Sequence, residues 1–357
     1  MAGVTTVADA EPASLAAFDV IVDARSPAEF AIDHIPGAIN LPVLGDTERA
    51  EIGKIYVQES RFKARRLGAA LVARNVARHL ETIMADWPPA LQPLVYCWRG
   101  GMRSNAMAVI LSQVGWRTSV LAGGYRTYRR RVSARLYGEA PVGRLALLEG
   151  CTGTGKTEIL QRLAGLGVQT LDLEGLAAHR GSLFGALPDH PQPTQKLFES
   201  RLLAALEGLD PARPVVVEAE SSKIGELILP PAVWSAMAAA PRIEVIAPTE
   251  ARARYLASAY ADIVADPGRV IEALGRLPDR PGRKRLEAWR KLASDAAWPE
   301  LAAELIEIHY DPAYRRSAKK DSRPRLATIH LETLDAADLT RAAEAVAAHL
   351  ASASALA

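Results

Sequence analysis

Cysteine is scarce in this chain: only Cys97 and Cys151 occur in 357 residues, too few for a disulfide framework. Both sit in glycine-rich loops, a placement that suits a reducing cytosol and chemistry rather than stapling. Net charge is nearly absent as well, at +2, which argues against a uniformly basic nucleic-acid binder. No apolar run approaches the roughly 20 residues that a membrane helix needs. No basic segment followed by an apolar stretch opens the chain, so no secretory signal is expected. Internal repeats are missing too. The expectation is a cytoplasmic protein with no membrane partner.

What is present is an ordinary globular composition, 49% hydrophobic and 24% charged, in a chain long enough for two cores. The charge is unevenly spread. Residues 1–140 carry 17 Lys+Arg against 13 Asp+Glu, and residues 141–357 carry 26 against 28. Short apolar runs alternate with helical patterns, which predicts parallel α/β sheets. Strands are expected at Val20–Asp23, around Ile39, at Leu94–Tyr96 and at Ser119–Leu121. Further strands are expected at Leu145–Leu148, Val168–Leu173, Pro214–Val217, Arg242–Ala247 and Leu326–Leu331. Helices are expected over 59–86, Ser104–Val114, Tyr125–Tyr137, Glu158–Leu166, most of 251–307 and Ala336–Ala351. Breaks fall at 266–268 and 278–282, and Ser26–Glu29 has the form of a capping box with Pro27 at the first helical position. A Pro-Val-Gly break at 141–143 suggests a boundary, giving domains 1–138 and 139–357.

Two loops carry the chemistry. Residues 97–104 read Cys-Trp-Arg-Gly-Gly-Met-Arg-Ser, with Cys97 at a strand end and a helix following. Backbone N–H groups turned inward and a helix N-terminus favour a thiolate, so Cys97 is expected to be nucleophilic. Arg99 and Arg103 add charge, and Trp98, Gly100, Gly101 and Met102 complete the loop. Residues 150–157 read Gly-Cys-Thr-Gly-Thr-Gly-Lys-Thr, a complete phosphate loop between a strand and a helix. Gly150, Gly153, Thr154, Gly155, Lys156 and Thr157 are expected to bind a diphosphate, with Thr157 a ligand of Mg2+ where a metal is bound. A nucleotide is the default occupant, yet any diphosphate satisfies the same donors. Glu218 and Glu220, after the Val215–Val217 run, either hold that metal through water or simply face solvent. Gln192, Gln195 and Lys196 form either a wall over the phosphates or a surface loop. Cys151 is expected to be structural.

The cysteine-loop region resembles the rhodanese family. Asp23-Ala-Arg25-Ser-Pro-Ala-Glu29-Phe30 is similar to its D-x-R-x-x-x-E-[FY] segment, His34–Asn40 to its H-I-P-G-A-x-N motif, and Gly123-Gly124 to its late glycine pair. The resemblance covers about residues 4–135. It implies that Cys97 carries or attacks a chalcogen and that Asp23 and Arg25 brace the loop. The insertion Gly45–Arg66 exceeds a minimal rhodanese and is expected to be a lid or a partner surface.

Arg126, Arg129, Arg130, Arg131 and Arg135 surround Tyr125 and Tyr128, while Arg283, Lys284 and Arg285 precede Trp289. Each cluster is either a solvated helix face or a phosphate-and-stacking surface for RNA, with Arg126, Arg129, Arg130, Arg283 and Arg285 the candidate tRNA contacts. A rhodanese-like domain followed by a P-loop domain resembles the tRNA 2-selenouridine synthase family. His179–Ser182, Phe184-Gly185, Gln192–Gln195, Phe198-Glu199, Glu218–Ser221 and Ile224-Gly225 match it further. The resemblance implies a transferase acting on 2-thiouridine at the tRNA wobble position. Sulfur is first alkylated by geranyl diphosphate, and selenophosphate, from a supplying enzyme, then replaces the geranylthio group. The geranyl chain is expected near Leu183, Phe184 and Leu187. The alternative is an NTP-dependent rhodanese-type sulfurtransferase.

Overall fold

The computed structural model describes residues 3–138, 143–182, 184–185, 190–275, 277, 282–318 and 322–354. The expected break at 141–143 and the one at 278–282 therefore fall almost wholly outside the described residues, as do Leu183 and Leu187 of the expected geranyl site. The chain divides into two compact units, Met1–Glu139 with Thr194–Ala204, and Ala140–Pro193 with Ala205–Ala357. Thr194–Ala204, sequentially inside the P-loop region, thus clusters with the first unit.

The first unit is built on a five-stranded parallel sheet. Its strands are β1 (Thr5–Val7), β2 (Val20–Asp23), β3 (Ile39–Asn40), β4 (Pro93–Tyr96) and β5 (Ser119–Leu121), in the order β1-β5-β4-β2-β3. β4 is buried at every position, as a central parallel strand covered on both faces requires. Val22, Val95, Met107, Leu111, Trp116 and Val120 form the core. The 59–86 helix is shorter than its spacing suggests, at Arg61–Glu81. Ser60 caps it by accepting from the Lys63 N–H at 3.3 Å. The insertion supplies a helix of its own, Asp46–Gln58. It is tied down where Glu48 accepts from Asn75 Nδ2 at 2.8 Å and Asp46 accepts from the Ala28 N–H at 3.1 Å.

The second unit carries β6 (Leu145–Gly150), β7 (Gln169–Leu171), β8 (Val215–Glu218), a hairpin of β9 (Lys223–Ile224) and β10 (Leu227–Ile228), then β11 (Arg242–Ile246) and β12 (Arg325–His330). The main sheet is parallel with the order β12-β11-β6-β8-β7, so the phosphate-loop strand β6 lies at its centre. Ligands of such sheets bind at the carboxyl ends of the strands, where β6, β7 and β8 deliver the phosphate loop, Glu174 and Glu218. The helix Lys156–Gly165 buries Ile159, Leu160 and Leu163 in the same core as Leu339 and Val346 of the last helix, Ala336–Ser354. Helices between Thr249 and Ala318 add a separate core of Ile263, Val270, Leu274, Trp289, Leu301 and Leu305. No helix among the described residues is long and apolar enough to cross a membrane.

Candidate functional site

Cys97 follows the last residue of β4, and the helix Met102–Val114 begins five residues later. Its Sγ accepts from the Gly101 N–H at 3.3 Å and lies 3.2 Å from Ser104 Oγ, which itself donates to the Gly101 carbonyl. Cys97 is buried, whereas Trp98, Arg99 and Met102, which follow it in the loop, are exposed. Gly100 lies against the Leu121 carbonyl. The loop is held from below by the glycine pair: the Tyr125 N–H donates to the Cys97 carbonyl at 2.8 Å and the Arg126 N–H to the Trp98 carbonyl at 3.3 Å. Gly124 has φ +58°, and a Cβ there would overlap the Cys97 carbonyl, so no other residue fits without moving the loop.

Asp23 and Arg25 form a buried pair beside this loop. Arg25 donates to both Asp23 carboxylate oxygens and, at 2.6 Å, to the Asp33 carbonyl. Its guanidinium stacks 4.1 Å from the Tyr125 ring centroid. Asn40 Nδ2 bridges the carbonyls of Asp23 and Arg25. Asp33 accepts from Tyr125 Oη at 2.6 Å and from Ser200 Oγ at 2.7 Å. Burial raises the Asp33 carboxyl above its usual range despite these donors. Arg103 does not sit free beside the sulfur: it donates to Glu29 at 2.8 Å. Burial alone would raise the Glu29 carboxyl, but the hydrogen bond and charge of Arg103 outweigh it and hold it low.

The expected RNA surface needs correction. Tyr125, Tyr128 and Trp289 are each buried to 3% exposure or less, so none offers a face for stacking. Hydrophobic burial won over the charged neighbours that made these rings look exposed in sequence. Arg129 is drawn inward too, pairing with Glu199 and lying 3.8 Å from Asp33. Arg126, Arg130, Arg283 and Arg285 remain exposed, with Arg283 pairing along its own helix to Glu287 at 3.1 Å.

In the second unit the phosphate loop has its expected form. Gly153 and Gly155 have positive φ, and Thr154 is buried with its Oγ1 donating to the Cys151 carbonyl at 2.9 Å. Lys156 Nζ donates to the Gly150 carbonyl at 3.0 Å. Burial, reinforced by the Asp311 charge, pushes the Cys151 thiol up to about 11, which keeps it unreactive. Glu218 and Glu220 meet a third carboxylate, Glu174, with ligand atoms of all three within 4.8 Å of one another. Thr157 Oγ1 is 3.4 Å from Glu174. Burial first, then the charges of Glu218 and Glu220, raise the Glu174 carboxyl far above its ordinary range; burial also raises Glu218, against the pull of Lys156. Glu218 Oε1 is buried without a hydrogen-bond partner among the described residues. Glu174 escaped the sequence reading, although the acids Asp172 and Glu174 after an apolar strand were the signal for it. The Gln192 amide clamps the β9–β10 hairpin, donating to the Ile224 carbonyl at 3.1 Å and accepting from the Glu226 N–H at 2.8 Å. Gln195 and Lys196 open the helix that clusters with the first unit.

Fold and loops together define a rhodanese-like domain joined to a P-loop domain. The family model described as a rhodanese-like domain matches residues 9–131, and that of the tRNA 2-selenouridine synthase AAA domain matches residues 143–275. The tRNA 2-selenouridine synthase of Shewanella denitrificans is 31% identical over 87% of this chain and 83% of its own length. That of Chromohalobacter salexigens is 34% identical over 83% and 87%, and that of Marinobacter nauticus 32% over 82% and 87%. The chain belongs to the tRNA 2-selenouridine synthase family.

Proposed function

We propose that this protein converts 2-thiouridine at the tRNA wobble position into 2-selenouridine through an S-geranylated intermediate, with geranyl diphosphate and selenophosphate as co-substrates. The observation that carries this reading is the pair of separately built anion sites in one chain of this family: a cysteine loop whose backbone N–H reaches the sulfur, and a complete phosphate loop. In the first step the thione sulfur attacks C1 of the geranyl group, the C–O bond breaks, pyrophosphate leaves and N3 gives up its proton. Phosphate-loop N–H groups and Lys156 stabilise the charge on that leaving group. In the second step the selenium of selenophosphate attacks C2 of the base and geranylthiol departs with a proton. Water then takes the phosphoryl group. Cys97 serves this step by holding selenophosphate at its loop.

Mg2+ fits the carboxylate cluster, because Glu218 Oε1 is buried with no partner among the described residues, Glu174, Glu218 and Glu220 offer ligand atoms within 4.8 Å of one another, and Thr157 Oγ1 is 3.4 Å from Glu174. A bound Mg2+ would supply charge neutralisation for the diphosphate. Exposed Arg126, Arg130, Arg283 and Arg285 suit tRNA phosphates. A separate enzyme supplies the selenophosphate.

Cys97→Ala is expected to leave geranylation near wild type and abolish selenation. Lys156→Ala is expected to slow geranylation by about 100-fold or more. Nucleoside mass spectrometry of the reacted tRNA reads both, and selenouridine formed by Cys97→Ala would refute the role given to this cysteine.

A further inference from the structure

An apolar cavity opens against the phosphate loop. Thr152 of that loop forms part of its wall, which continues through Leu256, Tyr260, Trp298, Leu305 and Tyr310. The cavity and the loop are mechanically one piece. A Cβ on Gly153 would come within 2.9 Å of the Leu256 side chain, so apolar wall and phosphate-binding backbone are in direct contact. Arg252, one turn before Leu256, donates to the Thr152 carbonyl at 2.9 Å and grips Asp311 with two bonds of 3.0 and 2.7 Å. Asp311 follows a π-helical turn, Ile306–Tyr310, that interrupts the helical run from Trp298 to Ala318. Such a turn inserts one residue and rotates the helix beyond it by about 100°, and it recurs at functional sites. Here it lies between Leu305 in the cavity wall and Asp311 on Arg252, and it places Tyr310 in that wall.

The lining discriminates between ligands. A nucleobase brings edge donors and acceptors that must find partners when buried. Of the few polar groups in this wall, Ser182 Oγ and Tyr260 Oη are already bonded to each other at 3.0 Å. An aliphatic chain asks for no partner. We infer that this cavity holds the isoprenoid chain of an allylic diphosphate whose diphosphate occupies the phosphate loop, and that its walls set the chain length accepted. The inference rests on the prenyl-transfer reading above and assigns the residues that make it selective. It centres the chain on helices Thr249–Ala259 and Trp298–Leu305, with Phe184 of the expected location in the same wall; Leu183 and Leu187 lie outside the described residues.

Ala257 and Ala302 line the cavity from these two helices and are only partly buried, so a larger side chain there can fill it. For Ala302→Phe and Ala257→Phe, KM for geranyl diphosphate should rise at least about tenfold as the outer five-carbon unit loses its burial. KM for dimethylallyl diphosphate, and inhibition by inorganic pyrophosphate, should change less than about twofold. Equal losses for all three ligands, or an unchanged chain-length profile, would overturn the assignment. Photolabelling of the wild-type chain with a diazirine-bearing geranyl diphosphate tests the site without any variant and independently of turnover. Label at Thr152 or Phe184, or within residues 249–264 or 298–310, is expected, and label confined to other peptides would overturn it. Correct labelling in a protein that never transfers a prenyl group would instead place the failure in the proposed reaction.

Discussion

Gly124 shows at the scale of one residue how closely the cysteine loop is packed. A side chain there needs a left-handed backbone, about 1–2 kcal/mol for an L-residue, and must also displace the Cys97 carbonyl. Gly124→Ala is therefore expected to cost at least about 2 kcal/mol in a urea titration; an unchanged midpoint would show that the loop has room. The two loops and the Asp23–Arg25 pair were legible because each is marked by local spacing: Cys97 ahead of two glycines, Lys156 directly after one, and Asp23 two residues from Arg25. Residues whose partners lie far along the chain were not. Nothing near Arg129 announces Glu199, and nothing in a run of arginines reveals that Tyr125 is turned inward to Asp33.

Elements were legible where a strand is a short apolar run between turn residues, as in β2, β4, β6, β8 and β11. The three-residue β1 and the hairpin β9–β10 carry too little pattern to be seen. The π turn leaves no mark on helical spacing at all. Strand-end acids are a further case, since their meaning depends on which strands become neighbours. β7 pairs with β8, which brings Glu174 to Glu218 and Glu220. Without a cation, Glu174 and Glu218 resist ionisation, so above the ordinary carboxylate pKa of 4.5 the folded protein holds protons that the unfolded chain releases. Stability contributed by these groups is present below that pH and is lost as pH rises through their elevated folded values. Tm of the metal-free protein is thus expected to fall from about pH 5 towards about pH 8. Both Mg2+ and Glu174→Gln should flatten the decline. A decline that neither alters would remove this cluster as its source.

On the scale of the whole molecule, the order of two domains was plain from the two loops, because each loop needs its own strand and helix. The grouping of Thr194–Ala204 with the first unit was not, since it depends on contacts such as Ser200 with Asp33 across 167 residues of sequence. In the proposed reaction both loops matter because neither chemistry alone makes a selenonucleoside: one is assigned the activation of sulfur as a leaving group, the other the delivery of selenium. The most direct test is nucleoside mass spectrometry of 2-thiouridine tRNA incubated with the wild-type protein and geranyl diphosphate, selenophosphate or both. S-geranyl-2-thiouridine is expected with the first alone, no new nucleoside with the second alone, and 2-selenouridine with both. Unaltered 2-thiouridine under all three conditions, accompanied by nucleotide hydrolysis, would contradict the proposed reaction.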